Sequence, residues 1–502
     1  MAKLLPRRRF WRFAIYFICF LLVLLAIDLI LVQRGRTIHP GYETTRIIAP
    51  RQADGSIDYL TAIEEHFSRG VTNENNSVPL LFQAFGRDAL PRTQPPDGIT
   101  DRLGMPHLPE KGDYFVSYEN FAKQKKAEIT DPDPMDYTKV QPWPAKPSDL
   151  TLDWLKTNEG PIAKIEQASL RPRYFVPFNG GNRPQTLVEI LLPHVMVMRS
   201  SERALITRAL VRANNGEFDG AREDLLAAHR LANLMGQSAT IVEHLVGYGL
   251  ETAAARADRS IALSGKLSAE QAMTLARDLA ALPEAQSCAD PMDTSERFMC
   301  LDIAQLCAKI GPTEAARALG AILGRESFPI DAQVYRFIPI SYDGSMGGAN
   351  NLYDGILSAT RKSNYAERAA ALSMWSDYFS RLEGADPVTK VFSSAWPSNM
   401  LIPSLSRADQ MWEKARTQRR LARVALALAA YKAEHNEYPP ALAELSPKYL
   451  TEIPLDNFTD KPLIYSRTSD GYSLYSVGPN MIDDGGKTAA SASTTSSEDD
   501  VR

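Results

Sequence analysis

An apolar run near the start of the chain constrains where the protein can fold. Residues 13–32 are apolar except for Asp28, and about twenty such residues are what a helix needs to cross a bilayer. Basic residues precede the run at Lys3, Arg7, Arg8, Arg9 and Arg12, with no acidic residue among them. Because a basic flank stays in the cytoplasm, we predict a cytoplasmic segment over 1–12, a transmembrane anchor over 13–32 and an exported remainder.

A cleaved signal peptide is the competing interpretation of this run. The run is longer than the roughly 7 to 15 apolar residues expected of a signal peptide, and no A-x-A pattern follows it. Asp28 lies near the outer end, where water and headgroups can solvate it; contact with another membrane helix is the alternative. We therefore expect a single-pass protein that keeps its anchor.

The remaining composition is that of a globular protein. The 502 residues are 44% hydrophobic and 23% charged, with a net charge of −4. No basic tract follows the anchor, which argues against a nucleic-acid-binding protein. Three cysteines, Cys288, Cys300 and Cys307, lie on the exported side. We expect them to be buried as small apolar side chains, with a disulfide between Cys288 and Cys300 as the alternative.

Proline content and apolar spacing divide the exported part of the chain. Prolines exclude long helices from its first stretch, where we predict two short helices, at 59–69 and 78–85. Apolar residues then follow a helical period, and the predicted fold class is mainly α. The predicted order is an irregular Pro-rich region (33–149), an α-helical body (150–383), a linker (384–406), a small C-terminal α+β domain (407–486) and a disordered tail (487–502).

The clearest local pattern in the body is a helical hairpin. Gly216, Ala221 and Ala228 are small enough to let two antiparallel helices approach, and Phe218 and Leu225 would fill the space between them. This spacing resembles the second half of a tetratricopeptide repeat, although no second copy is present. We therefore predict a generic helical hairpin, with a true repeat array as the alternative. Further along, the body is predicted to continue with a helix over 268–282 that Ser268 caps.

The last predicted helix begins near residue 407. Arg416, Arg419, Arg420 and Arg423 cluster on its polar side. We interpret them as a solvated helix face; contact with anionic headgroups or with an acidic partner is the alternative.

The C-terminal segment from 421 to 486 resembles the soluble domain of the major pseudopilins of type II secretion systems, which are relatives of type IV pilins. The resemblance rests on an ordered series of elements: the helix ending at 430–432, the Tyr438–Pro439 pair, 442–445, 453–456, 462–465, the strand at 472–478 and a loop rich in Asp and Gly. It implies a long helix packed on a small antiparallel sheet, with a loop that commonly binds calcium in that family.

The chain departs from the pilin pattern at its N-terminus. Arg9, Phe10 and Trp11 stand where a prepilin peptidase site would be, so polymerisation into a pseudopilus is not expected. The whole layout resembles membrane-anchored proteins of planctomycete-type bacteria that combine a helical body with such a tail. This resemblance implies a bacterial inner (cytoplasmic) membrane location, with the bulk of the chain in the periplasm.

Chemistry allows the same loop to be a calcium site. Calcium takes six to eight oxygen ligands at irregular spacing. Asn480, Asp483 and Asp484 supply side-chain oxygens, and Ser476 and Asp456 are candidates for the others. The alternative is a polar loop capped by its own side chains.

No catalytic signature stands out in the sequence. It contains no HExxH, no C-x-x-C pair and no P-loop or dinucleotide-binding glycine pattern. His229 and His244 are interpreted as packed or surface residues, and residues 343–347 as a flexible loop rather than a nucleophile elbow.

We therefore expect a non-enzymatic interaction or assembly component of the bacterial envelope, with a protein partner. In this hypothesis the helical body offers a binding surface and the tail docks as a rigid module. An extracytoplasmic hydrolase using the 330–350 region and a structural envelope spacer are the alternatives.

Overall fold

A computed structural model describes most of the chain after residue 35, and it is mainly helical, with 61% helix, as the sequence predicts. The described residues are 19, 20, 22, 23, 36–90, 96–129, 147–178, 186–190, 192–322, 341–383, 403–469, 471–487 and 500–502. Most of the predicted anchor at 13–32 therefore lies outside them. Within this part of the chain, no helix combines the length and the apolar character needed to cross a membrane.

The described part of the Pro-rich region contains two α-helices that the sequence does not predict. Besides α1 (Tyr59–Phe67) and α2 (Val78–Phe85), it forms α3 (Pro96–Arg102) and α4 (Tyr118–Lys125). Local signals start both helices. Helix α3 begins with a proline, which costs no hydrogen bond because the first N–H of a helix has no partner within the helix. At the start of α4, the Ser117 side chain accepts a hydrogen bond from the backbone N–H of Asn120.

The helical body begins with α5 (Asp149–Thr157) and α6 (Glu159–Ser169) and continues with α7 (His194–Asn214), α8 (Phe218–Met235), α9 (Ile241–Leu263) and α10 (Ala269–Ala281). The predicted hairpin corresponds to α7 and α8, which turn at Gly216 with φ +84°. Gly247 brings α9 close to α8, because a Cβ there would lie 3.0 Å from the Ala232 carbonyl oxygen. Ser268 caps α10 as predicted, through a reciprocal bond with Gln271.

A second group of helices packs beside this body. A π-helical turn at Met292–Glu296 leads into α11 (Arg297–Ile310), followed by α12 (Pro312–Ile322), α13 (Tyr342–Thr360) and α14 (Tyr365–Glu383). Residues 334–340, where the sequence favours an edge strand or extended chain, lie outside the described residues. Cys288, Cys300 and Cys307 are buried free thiols, so the alternative of a disulfide does not hold.

The prediction of a flexible loop at residues 343–347 is wrong, since they form the first turns of α13. The Ser341 side chain accepts the Gly344 N–H at 3.2 Å and starts the helix. Met346 is fully buried. Burial of this face outweighs the helix-weakening effect of the glycines.

The C-terminal segment shares its hydrophobic core with the helical body. Helix α15 (Pro403–His435) packs along α9 and α10, and strands β1 (Ile464–Arg467) and β2 (Tyr472–Tyr475) form an antiparallel pair beside it. Leu428 of α15 belongs to the same buried cluster as Leu225 of α8 and Leu474 of β2. The domain boundary at 407 stays a prediction.

The end of the chain differs from the predicted disordered tail at its last three residues. Val501 is 5% exposed and forms an antiparallel bridge with Ser476, with N–O distances of 2.9 and 3.0 Å. The backbone carbonyl of Arg502 accepts a hydrogen bond from Gln418 of α15. These residues therefore extend the edge of the small sheet.

Candidate functional site

A groove on the helical body is the first candidate site. It lies between the start of α8 and the start of α10 and has a volume of about 270 Å³. Its floor is apolar and its rim is polar; the floor consists of Phe218, Ala221, Leu225, Ile261, Leu267 and Leu275, and the rim of Asp219, Arg222, Glu270, Gln271 and Thr274. A floor of this kind can hold apolar side chains, with the rim fixing their orientation.

The rim of this groove is acidic. The Arg222 side chain pairs with Asp278, which neutralises the one basic residue of the rim. Among the described residues, neither Asp219 nor Glu270 has an ion-pair partner within 4.0 Å. The groove therefore favours an apolar side chain flanked by basic residues.

A buried charged network joins the helical body to the C-terminal helix. His229 of α8 is fully buried, and its ring nitrogens lie 3.0 Å from Glu251 and 2.8 Å from Asp258, both on α9. Arg419 of α15 donates two hydrogen bonds to Glu251, each 2.6 Å long. Because carboxylates only accept, the two contacts require both ring nitrogens of His229 to be protonated.

Electrostatics explains how these charges persist in the core. Burial lowers the pKa of His229, but Glu251 and Asp258 outweigh it and raise the pKa to about 9. Burial raises the pKa of Glu251, but His229 and Arg419 outweigh it and lower the pKa to about 2. With an unfolded pKa near 6.5, His229 adds stability that is fully present below that pH and is lost as pH rises towards 9.

An unpaired carboxyl group lies beside this network. Glu202 of α7 is fully buried, and none of the residues that the structure describes hydrogen-bonds to either of its side-chain oxygens. Burial raises its pKa well above the ordinary value, and the charge of Glu251 raises it further. Burial therefore favours the neutral acid form of Glu202, which lacks, within the described part of the chain, the partners that buried polar groups normally have.

A second buried histidine is paired with a carboxylate between α7 and α9. The His194 Nε2 atom of α7 lies 2.9 Å from Glu243 of α9, which also accepts a bond from Thr240 at 2.8 Å. His194 and Glu243 are 1% and 2% exposed. Like His229, this residue is packed in the core. His244, also predicted to be a packed or surface residue, is 2% exposed.

The residues proposed as calcium ligands fall into two groups in the structure. Asp456 is 1% exposed, and its oxygens accept bonds from Ser476 Oγ, Phe458 N and Val477 N at 2.9 to 3.0 Å. In the loop, Asn480 donates to Asp484 at 2.9 Å, and Asp483 accepts from Tyr475 OH at 2.8 Å. Asp456 with Ser476 therefore holds the base of the loop, and the other three residues lie in the loop itself.

No group of three or more His, Cys, Asp or Glu residues in the described part of the chain is arranged to hold a metal ion. The calcium site therefore stays a prediction.

Sequence reasoning missed the buried network and the groove. Polar and apolar residues are mixed around α7, so the sequence pattern does not distinguish Glu202 from a solvent-exposed glutamate. A usable signal exists in α9, where Glu251 and Asp258 lie seven residues apart on one face with Ala254 and Ala255 between them.

Comparisons of the chain with protein-family models, curated proteins and solved structures found no match.

Proposed function

We propose that this protein is a membrane-anchored, non-enzymatic interaction or assembly component of the bacterial envelope. The observation that carries the proposal is the groove between α8 and α10. Its apolar floor and acidic rim suit a partner segment that presents an apolar side chain next to basic residues. The partner is thus a protein, bound on the periplasmic side of the inner membrane.

The pseudopilin-like tail takes a fixed role in this proposal. Its helix α15 shares a core with α9 and α10, so the tail moves with the body rather than as a separate docking module. The hairpin of β1 and β2, with the loop after it, then forms a second contact surface at a constant position relative to the groove.

Site-specific photocrosslinking in cells tests the groove. A photoreactive residue replaces Gln271 on the rim, and the matched control replaces Gln167, an exposed glutamine of α6 that does not line the groove. We expect a crosslinked protein partner at position 271 and not at 167. Equal crosslinking at both positions, or none at either, contradicts the proposal.

A charge change tests the acidic rim separately. Glu270→Gln should reduce the yield of that crosslinked product, because it removes one unpaired carboxylate from the rim. Glu367→Gln is the matched control, since Glu367 is also an exposed glutamate in the first turn of its helix. An unchanged yield in Glu270→Gln shows that the rim charge does not select the partner.

Calcium binding by the tail loop belongs to the same proposal. Asp483 and Asp484 would supply carboxylate oxygens and Asn480 an amide oxygen. We expect calcium to raise the thermal midpoint of the purified protein, and Asp483→Asn to abolish the rise. Asp153→Asn, at an exposed aspartate of α5, is the control. No calcium effect on the unmodified protein rules out the loop as a calcium site.

A further inference from the structure

The arginine cluster at 416–423 of α15 does not form a fully solvated face. Arg416, Arg419, Arg420 and Arg423 line a pocket against the end of α10 and the loop that follows it. The remaining lining residues are Glu251, Leu279, Ala280, Leu282, Glu284 and Ala285. Arg419 is only 7% exposed. The prediction of a solvated face is therefore wrong for Arg419, whereas Arg416, Arg420 and Arg423 are half-buried around the pocket.

Two of these arginines are neutralised by carboxylates. Arg419 pairs with Glu251, as described above. Arg416 pairs with Glu284 at 2.8 Å and with Glu413 at 3.1 Å. These pairs use the two glutamates that line the pocket.

The other two arginines have no carboxylate partner in the described part of the chain. Arg420 donates to the backbone carbonyl of Leu455 at 2.7 Å. The Nε atom of Arg423 is enclosed, and none of the described residues accepts a hydrogen bond from it. Both side chains line the pocket, so their positive charge stays without a counter-charge there unless an anionic ligand supplies one.

Crowding of like charges supports this conclusion. Burial lowers the pKa of Arg420, and the neighbouring Arg416 lowers it further. An anion in the pocket would relieve both effects, because it would replace lost hydration and offset the repulsion between guanidinium groups.

We propose that this pocket binds a phosphate group. The pocket volume is about 50 Å³, several times the roughly 10–15 Å³ that a single water needs, which suits a compact tetrahedral anion. Guanidinium groups bind phosphate through parallel N–H···O bonds. The lining contains four arginines and two glutamates. A phosphate group can carry more negative charge than a single carboxylate, so it can offset more of this excess of positive charge. The phosphate group is either inorganic phosphate or part of a phospholipid headgroup.

Isothermal titration calorimetry of the full-length protein in detergent tests the proposal. Inorganic phosphate is titrated at constant ionic strength, with chloride as the reference anion. We expect saturable binding that R423Q weakens at least about tenfold, the change that the loss of roughly 1.4 kcal/mol produces. R277Q, at an exposed arginine of α10 outside the pocket, should bind like the unmodified protein. Equal affinity in R423Q and R277Q overturns the proposal.

A variant that strengthens binding separates the site from a folding defect. Glu284 lies at the mouth with 63% of its side chain exposed. E284Q removes its charge and should tighten phosphate binding about fivefold, the effect of one unit charge at about 4 Å in water. Unchanged or weaker binding in E284Q contradicts the assignment, even if R423Q fails to fold.

The source of the phosphate group is distinguished by a second titrant. Glycerophosphoglycerol, the soluble headgroup of phosphatidylglycerol, is compared with inorganic phosphate. Stronger binding of the diester indicates a lipid headgroup, and stronger binding of inorganic phosphate indicates the free anion. If neither titrant binds, the pocket is not a phosphate site. The groove proposed for the protein partner uses different residues, so its crosslinking result is independent of this titration.

Discussion

Replacement of Glu202 should stabilise the protein, although it removes a charged residue type from the core. At neutral pH the unfolded chain carries Glu202 ionised, whereas burial in the folded protein raises its pKa well above the ordinary value, and none of the described residues hydrogen-bonds to its carboxyl group. Folding therefore takes up a proton at this residue and buries an unsatisfied carboxyl group. Glu202→Met removes both costs, because methionine fills a similar volume and adapts its shape.

The size of the effect follows from two separate costs. Burying an unsatisfied polar group costs about 1–3 kcal/mol. Proton uptake adds a cost that grows by up to about 1.4 kcal/mol per pH unit above the unfolded pKa, until the folded pKa is reached. The sign follows from the raised pKa of Glu202: its protonated form favours folding at low pH, and the advantage is lost as pH rises. The gain from Glu202→Met should thus be larger at pH 8 than at pH 5.

Urea unfolding followed by tryptophan fluorescence, at several pH values between 5 and 8, measures this gain. Glu202→Gln separates the two costs, since it abolishes proton uptake but keeps a buried polar group; its stability should lose the extra pH dependence and gain less than Glu202→Met. Glu223→Gln, at an exposed glutamate of α8, is the control. If Glu202→Met is less stable at pH 8 than the unmodified protein, Glu202 is ionised and paired, and the reasoning fails.

Three further predictions concern how the C-terminal segment and the helices are held together, and thermal unfolding checks each. Arg419→Met should destabilise the protein by about 3–5 kcal/mol, because it leaves a buried carboxylate with one cation fewer; no loss would show that the network adds nothing. Gly355→Ala should destabilise by about 1–3 kcal/mol, because its Cβ would lie 2.3 Å from a tryptophan ring of α14; Gly249→Ala, with no atom within 4 Å, should be neutral or stabilising. Deletion of residues 500–502 should lower the midpoint, since it removes the bridge to Ser476 and about 1.5–3 kcal/mol of apolar burial; an unchanged midpoint contradicts the packing of the chain end.

The elements that the sequence predicts well are those with local signals. The helix predicted at 78–85 has those bounds in the structure, and Ser268 caps α10 through the bond that its spacing from Gln271 allows. The hairpin turn at Gly216 follows from a residue that adopts positive φ without strain. In each case the determining contacts lie within a few residues of one another.

The features that the sequence did not predict depend on distant contacts. The glycines in 343–347 look like a loop, yet Met346 becomes helical because its face is buried in the core. Arg416 and Arg419 of α15 look solvated in the sequence because Glu284 after α10 and Glu251 on α9, with which they pair, lie far away along the chain. Charge alone cannot tell an exposed arginine from one that pairs across 168 residues.

Two buried arginine–carboxylate pairs explain how α15 keeps its position against the helices that it packs on. Its core face is mostly alanine and leucine, and such a face could slide by a helical turn at little cost. Arg419 pairs with Glu251 of α9, and Arg368 of α14 pairs with Asp409 at 3.1 Å. Any slide or rotation of α15 would separate both pairs and leave charges buried without partners.

Replacing buried ion pairs with apolar residues is often neutral for stability. We therefore infer that these pairs fix the position of α15 rather than increase the stability of the fold. The hairpin of β1 and β2 is then held at a constant distance from the groove on the body. A partner that contacts both surfaces gains affinity only if they are correctly spaced, because the second contact becomes intramolecular. The buried charges would thus set the spacing on which such two-point binding depends.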